Sequence, residues 1–291
     1  MANSLREVKS RINSTRNTAQ ITKAMYMVSQ SKVKKAEKSY KLYKDFMARI
    51  SSMVSDISSR ASEDYPHKLL KEREIKKTAY LIITSDRGLA GAYNSNIYKA
   101  IEEKIDENHK SRNEYIVTSI GKLGYSFIKR KKYNTTQKKA LLVRDDVQFF
   151  DIQPLARSII DLYIKGEIDK FVIIYNHYVN SLTQEVKFEQ LLPIDKLENN
   201  KGEIDYVYES GIEKTLDLIL PMYVEDIVYG VILDAKCAEH SARMNAMRSA
   251  TDNAEEVIDK LQLLYNRARQ AVVTNELIDI IGGANAIGGD D

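Results

Sequence analysis

Residues 5–57 read LREVKSRINSTRNTAQITKAMYMVSQSKVKKAEKSYKLYKDFMARISSMVSDI and contain neither glycine nor proline. Pro66 is the first proline of the chain and Gly88 is its first glycine. Apolar and small side chains recur along this stretch in alternating steps of three and four, which is typical of a long helix packed along a second helix. Two registers carry the spacing: Leu5, Ile12, Ala19, Tyr26, Val33, Tyr40, Met47 and Val54, and Val8, Thr15, Thr22, Ser29, Ala36, Tyr43, Ile50 and Ile57.

The predicted helix is longer than an ordinary domain is wide. At 1.5 Å per residue it runs about 80 Å from Leu5 to Ile57, whereas a compact domain of this chain's length has a diameter of about 50 Å. We therefore expect the helix to project and to engage another molecule. The two registers together form the seam, the face that packs on the second helix. It is rich in Ala, Thr and Ser, which bury little apolar area, so we expect the paired helices to need stabilising contacts with other parts of the structure or with partners.

The end of the chain repeats this pattern. Neither glycine nor proline occurs between Gly230 and Gly282, and the steps of three and four return. The positions are Met247, Ala250, Ala254, Val257, Leu261, Leu264, Ala268, Ala271, Asn275 and Ile278. The sequence thus predicts a coiled-coil helix over residues 1–65, a second one over 210–287, and a different domain over 75–205.

Charge is unevenly placed along the chain. Lys and Arg total 44 against 41 Asp and Glu, yet the first 50 residues hold 12 Lys or Arg and only three acids. Such a helix fits an acidic partner surface or nucleic acid, and it also fits a merely solvated face. The single cysteine, Cys237, excludes an internal disulfide and is interpreted as a small packing residue. No apolar stretch is long enough to span a bilayer.

The middle of the chain changes period. Short apolar runs at 80–83, 115–118 and 171–175 predict buried strands, with a weaker strand at 141–143 and an antiparallel strand at 186–192. Helical patterns lie between them: Ile97–Ile105, Leu123–Ile128 and Ile152–Leu162. Strands that alternate with helices predict a small, open, Rossmann-like α/β sheet.

No site of catalysis or cofactor binding emerges from the residues. Gly88 and Gly91 follow a strand and precede a helix, but their spacing matches neither phosphate-loop motif, and we interpret them as a structural turn. The four histidines lack metal-ligand spacing. We therefore predict no catalytic residue, no cofactor and no metal.

Over nearly its whole length the chain resembles one family, the gamma subunit of F-type ATP synthase. The segment that carries the resemblance best is 273–286, VTNELIDIIGGANA, with Thr274, Glu276, Asp279, Gly283 and Ala284 at the family's spacing. Other matching segments are ITKAM at 21–25, SDRGLAG at 85–91, YVYE at 206–209, EHSARM at 239–244 and ATDN at 250–253.

The resemblance implies a rotor shaft. The terminal helices would form an antiparallel coiled coil inside a ring of alpha and beta subunits, with the α/β domain outside it beside the epsilon subunit. Lys23 and Met25 match the position that faces an acidic loop of beta. The implied upper ring contacts are Arg269, Gln270, Thr274 and Glu276, and the implied contacts with the c-subunit ring are Tyr206, Tyr208 and Glu209.

The resemblance also implies a location. No cysteine pair occurs in the middle domain, unlike the redox-regulated plastid form, and residue 1 lies near the family's mature start. We therefore expect a bacterial protein, peripheral to the cytoplasmic face of the plasma membrane, with no nucleic acid partner and no transmembrane segment. The alternatives are a nucleic-acid-binding rod, a chromosome-type coiled-coil protein, which would need a phosphate loop near the N-terminus, and an α/β enzyme.

Overall fold

A computed structural model describes the backbone of residues 2–60, 67–194 and 211–287, and the side chains of 5–57, 67–194 and 211–282. Two compact units are present: residues up to Val28 with those from Met244 onward, and Ser29–Arg243. In chain order the elements are α1 (Ala2–Arg60), β1 (Thr78–Ile83), α2 (Tyr93–Asn108), β2 (Tyr115–Ile120), α3 (Lys122–Lys131), α4 (Phe149–Ile164), β3 (Lys170–Tyr178), β4 (Gln184–Leu192) and α5 (Ile212–Ile287).

The seam predicted for α1 is confirmed. Every position of its two registers is buried or half-buried, while the residues between them are mostly exposed. The partner is α5 and the pairing is antiparallel, because Tyr40 of α1 bonds to Asp234 whereas the later Tyr43 bonds to the earlier Asp226. In the unit formed by the chain ends, the hydroxyls of Thr22 and Thr251 form a buried hydrogen bond of 2.8 Å.

Of the two rows of residues predicted to form the seam of α5, one is confirmed and the other is wrong. The row of Met247, Ala254, Leu261, Ala268 and Asn275 is buried or half-buried as expected. The second row is shifted by one residue and consists of Thr251, Ile258, Tyr265 and Val272. The predicted Val257, Leu264 and Ile278 are instead exposed. Apolar residues flank the first row on both sides, so spacing alone did not identify the side that faces α1.

The sheet has the predicted type. Its strand order is β2-β1-β3-β4, with β1 parallel to both β2 and β3 and with β4 antiparallel to β3. Both faces of the central strands are covered, which explains their continuous apolar sequences. Leu81 and Ile173 face the core shared with α4 and α5, whereas Ile82 and Ile174 face the core beneath α2 and α3.

The strand predicted at 141–143 is wrong. Leu141 forms only an isolated bridge with Ile120. Just before it, the side-chain oxygen of Gln137 accepts the backbone N–H of Ser119 at 2.9 Å and so replaces the carbonyl that a strand would offer. The segment therefore runs along the edge of β2 without forming a regular ladder with it.

Helices α1 and α5 are in close contact at Gly230. The ring of Tyr43 lies against this glycine, where a Cβ atom would overlap the ring. The ring is held in place, because its hydroxyl donates to the carbonyl of Asp226 at 2.6 Å and its edge packs on Tyr229. Nearby, Cys237 is fully buried, as expected for a small packing residue. Among the described residues, no helix combines the length and apolar character needed to cross a membrane.

Gly230→Ala should destabilise the free chain by about 1–3 kcal/mol, because the added methyl group overpacks a contact whose ring cannot easily move. Urea unfolding followed by circular dichroism measures this. Gly88→Ala is the matched control, since a Cβ there meets nothing within 4 Å, and it should change stability by less than about 0.5 kcal/mol. Equal stabilities of the two variants would contradict the close contact.

Candidate interaction surfaces

The end of α5 extends past α1, so α1 does not cover its apolar residues. Thr22 is bonded to Thr251, and both helices rise about 1.5 Å per residue, so the start of α1 at Ala2 is level with about residue 271 of α5. Beyond that level α5 continues to Ile287. Over 273–282 only Asn275 is half-buried and the other side chains are exposed.

The exposed end carries an aliphatic stripe. At about 100° per residue, Val273, Leu277 and Ile280 point within about 60° of one another and away from the buried seam. Ile280 is 67% exposed and Leu277 is 54% exposed. We call Val273, Leu277, Ile280 and the adjacent Ile281 the tail stripe. A soluble chain rarely leaves such residues uncovered on one face unless a partner binds there.

The four tail residues singled out in the sequence lie along the borders of this stripe. All four are exposed. Arg269 and Glu276 border one side, and Gln270 and Thr274 border the other. The Thr274 hydroxyl donates to the carbonyl of Gln270 at 2.9 Å, which occupies its hydrogen within the helix. The arrangement is an apolar strip with polar edges, as in the core and rim of an interface.

Lys23 and Met25 do not share a face. They are two residues apart on α1, so their side chains point about 160° apart. Lys23 is exposed and makes no ion pair within the described part of the chain, whereas Met25 is half-buried. Met25 lies on the same face of α1 as Ile21 and Val28, which are 61% and 57% exposed.

This second apolar face was missed in the sequence. Ile21 and Val28 are seven residues apart and lie off the heptad seam. The available signal was the recurrence of apolar residues at helical spacing outside the seam. A helix that packs only along one partner helix buries a single stripe, so a second apolar stripe indicates a second contact.

Tyr206, Tyr208 and Glu209, the predicted contacts with a c-subunit ring, lie outside the described residues.

The loop that contains Gly88 and Gly91 is a structural turn. Ser85 donates its backbone N–H to the side-chain oxygen of Asn94 at 3.0 Å, and the Asn94 amide donates back to the Ser85 hydroxyl at 2.8 Å. Gly91 has a φ of 57°, which favours glycine. Ser85 and Asn94 thus bond to each other across the loop. In the described ranges, no group of three His, Cys, Asp or Glu is arranged to hold a metal ion.

Solved structures share this fold. A chain of the Euglena gracilis mitochondrial ATP synthase, from a structure of its OSCP, F1 and c-ring, is 18% identical, with a TM-score of 0.68 and with 99% of this chain and 96% of that chain covered. Another, from the rotor of the same enzyme, is 17% identical, covers 94% and 100%, and has a TM-score of 0.65. A central stalk and c-ring chain of the Tetrahymena thermophila mitochondrial ATP synthase is 24% identical, covers 79% and 99%, and has a TM-score of 0.59.

The sequence itself matches a family. The family model described as ATP synthase matches residues 4–287, which is nearly the full length. The match includes all but the first two residues of α1, every strand of the sheet and α5. The chain therefore belongs to the gamma-subunit family of ATP synthase, the family of the central rotor shaft.

Proposed function

We propose that this chain turns inside a ring of alpha and beta subunits and couples ion flow through a membrane ring of c subunits to ATP synthesis or hydrolysis. The geometric observation that carries the proposal is the end of α5, a helix beyond the reach of α1 with an exposed tail stripe. A sleeve of partner subunits would cover that stripe, and Arg269, Gln270, Thr274 and Glu276 would make its polar contacts.

The basic first helix supports a second contact. Lys23 is exposed and unpaired within the described chain, so it suits an acidic loop of the beta subunit. Met25, Ile21 and Val28 lie on another side of the helix and would pack against an apolar neighbour in the ring. A rotating shaft meets partners on all sides, and two different surfaces on one helix fit that task.

We further propose that Tyr206, Tyr208 and Glu209 contact the c-subunit ring and that the α/β domain lies beside the epsilon subunit. The protein would then be peripheral to the cytoplasmic face of a bacterial plasma membrane. The resemblance of the sequence to the family supports these contacts.

The family match gives no support to a nucleic-acid-binding rod or a chromosome-type protein. Tyr26, Tyr40 and Tyr43, which could have stacked on bases, are half-buried on the seam of α1.

We expect the isolated chain to hydrolyse no ATP, because we assign it neither a phosphate loop nor a general base. A coupled assay on the monomeric chain, compared with the chain reconstituted with alpha and beta subunits, measures this. Sustained hydrolysis by the monomer would overturn the assignment of all catalysis to partner subunits.

Reversing the charge at Lys23, Lys34 and Lys35 to Glu should lower the ratio of ions pumped to ATP hydrolysed. Single exposed ion pairs contribute only about 0.2–1 kcal/mol, so the triple variant is needed, and the effect should fade at high salt. The matched control reverses three exposed lysines of the α/β domain, Lys122, Lys129 and Lys138. If both triple variants behave alike, the basic face of α1 is only solvated.

Truncating the tail tests the sleeve. Removing residues 282–291 should leave assembly and rotation largely intact. Removing 268–291 also deletes the tail stripe, and burial of each large aliphatic is worth roughly 1.5–3 kcal/mol, so the assembled complex should lose thermal stability. The free chain should lose less stability than the complex, since its tail stripe is exposed and only the last seam positions, Ala268, Val272 and Asn275, are deleted with it.

A substitution series refines this test. Leu277→Asn with Ile280→Asn should lower the melting temperature of the complex and not that of the free chain. Leu182→Asn in the β3–β4 turn, also strongly exposed, is the matched control. An equal loss of stability in the free chain would mean that the tail packs within its own subunit.

A further inference from the structure

Two carboxylates tie the α/β domain to both long helices within the unit Ser29–Arg243. The first is Asp145, in the loop between α3 and α4, where buried Val143 and Val147 anchor it on either side. Its Oδ2 accepts from the Lys32 ammonium of α1 at 2.6 Å. Its Oδ1 lies 3.3 Å from Nε2 of His240 and 3.7 Å from Nζ of Lys236, both on α5.

These contacts favour the charged form of Asp145. Hydrogen bonds from His240 and Lys32 hold the pKa of this carboxyl well below its usual range, although partial burial opposes them. Asp145 is therefore a fixed anion between two helices. The neighbouring Asp146 differs, because its ion pair is with Arg144 of the same loop.

The second carboxylate is Asp234, which lies on α5 and is almost fully buried. Its Oδ1 accepts the backbone N–H of Tyr178 at 2.8 Å, at the end of β3. Its Oδ2 lies 2.5 Å from Nδ1 of His177 and also accepts from the Tyr40 hydroxyl of α1 at 3.4 Å. Burial raises the pKa of Asp234, and its hydrogen bonds with His177 and Tyr178 oppose that rise. The Tyr178 hydroxyl also donates to Glu37 of α1.

The two attachments hold α5 from opposite sides. At about 100° per residue, Lys236 and His240 point about 160° and 120° away from Asp234 around the helix. The end of β3 therefore holds one side of α5, and the loop at Asp145 holds the other. Both attachments lie within two turns of α5, and both also reach α1 through residues between Lys32 and Tyr40.

An attachment on one side lets a helix roll about its own axis, whereas attachments on opposite sides resist that rolling. Hydrogen bonds to charged groups are also roughly twice as strong as neutral ones and more directional. We propose that Asp145 and Asp234 are positioning residues that lock the α/β domain to the two helices against twisting, so that torque passes between them. This inference rests on the proposed rotor function.

The experiment uses the complete ATP synthase reconstituted in vesicles, with Asp145→Asn, Asp234→Asn and both together. Asp145→Asn keeps the size of a half-exposed side chain, so it should assemble normally. In the double variant, ions pumped per ATP under an opposing gradient should fall about threefold, because the charge-assisted bonds are lost. Hydrolysis without a gradient should stay within about twofold of the unmodified enzyme, and Asp145→Glu should retain coupling.

Asp146→Asn is the matched control and should leave the ratio unchanged. An unchanged ratio in the double variant would overturn the proposal, and so would a parallel fall of pumping and unloaded hydrolysis, which indicates loss of folded enzyme. If the unmodified enzyme itself does not pump, the rotor function fails instead.

A measurement on the free chain is independent of that function. Spin labels at Leu42→Cys on α1 and Leu182→Cys in the β3–β4 turn, both strongly exposed positions, report the distance between helix and domain. We expect the distance distribution to broaden in the double variant and to stay narrow with Asp146→Asn. Equal widths in all variants would overturn the proposed lock.

Discussion

Small side chains allow α1 and α5 to lie close together, and this close approach limits how much apolar surface their contact can bury. Ala19 and Thr22 face the seam on one helix, Thr251 and Ala254 on the other, and at Gly230 no side chain at all separates α5 from the Tyr43 ring. Burial contributes roughly in proportion to apolar area. A pair of helices with such a seam therefore depends on other contacts for its stability.

In the unit Ser29–Arg243 the α/β domain supplies those contacts. Leu216, Val224 and Ile232 of α5 are fully buried in the core that the sheet and α4 share with the long helices. Glu225 of the same helix accepts from Arg157 and Gln153 of α4 at 2.7 and 2.8 Å. Contacts with the α/β domain thus give this part of α5 the apolar burial that its seam with α1 does not provide.

Much of this was predictable from local sequence, and the misses have physical causes. The α1 seam and the four main strands follow from spacing and from apolar runs. The second row of α5 was misjudged because Ala254, Leu261 and Ala268 have apolar neighbours at both +3 and +4. Contact with Thr22 selects Thr251. The contacts of Asp145 could not be predicted, since its bond to Lys32 spans 113 positions and leaves no local pattern.

The unit formed by the chain ends contains no β-strand among its described residues. There α1 and α5 pack on each other, and beyond about residue 271 α5 extends past the start of α1. Exposed aliphatic residues of this unit include Ile21 and Val28 on α1 and the tail stripe on α5. These side chains would stabilise the coil if they were buried, and they are exposed among the residues that the structure describes. We infer that the rotor's partners complete this part of the structure, so that the same contacts stabilise the shaft and guide its rotation.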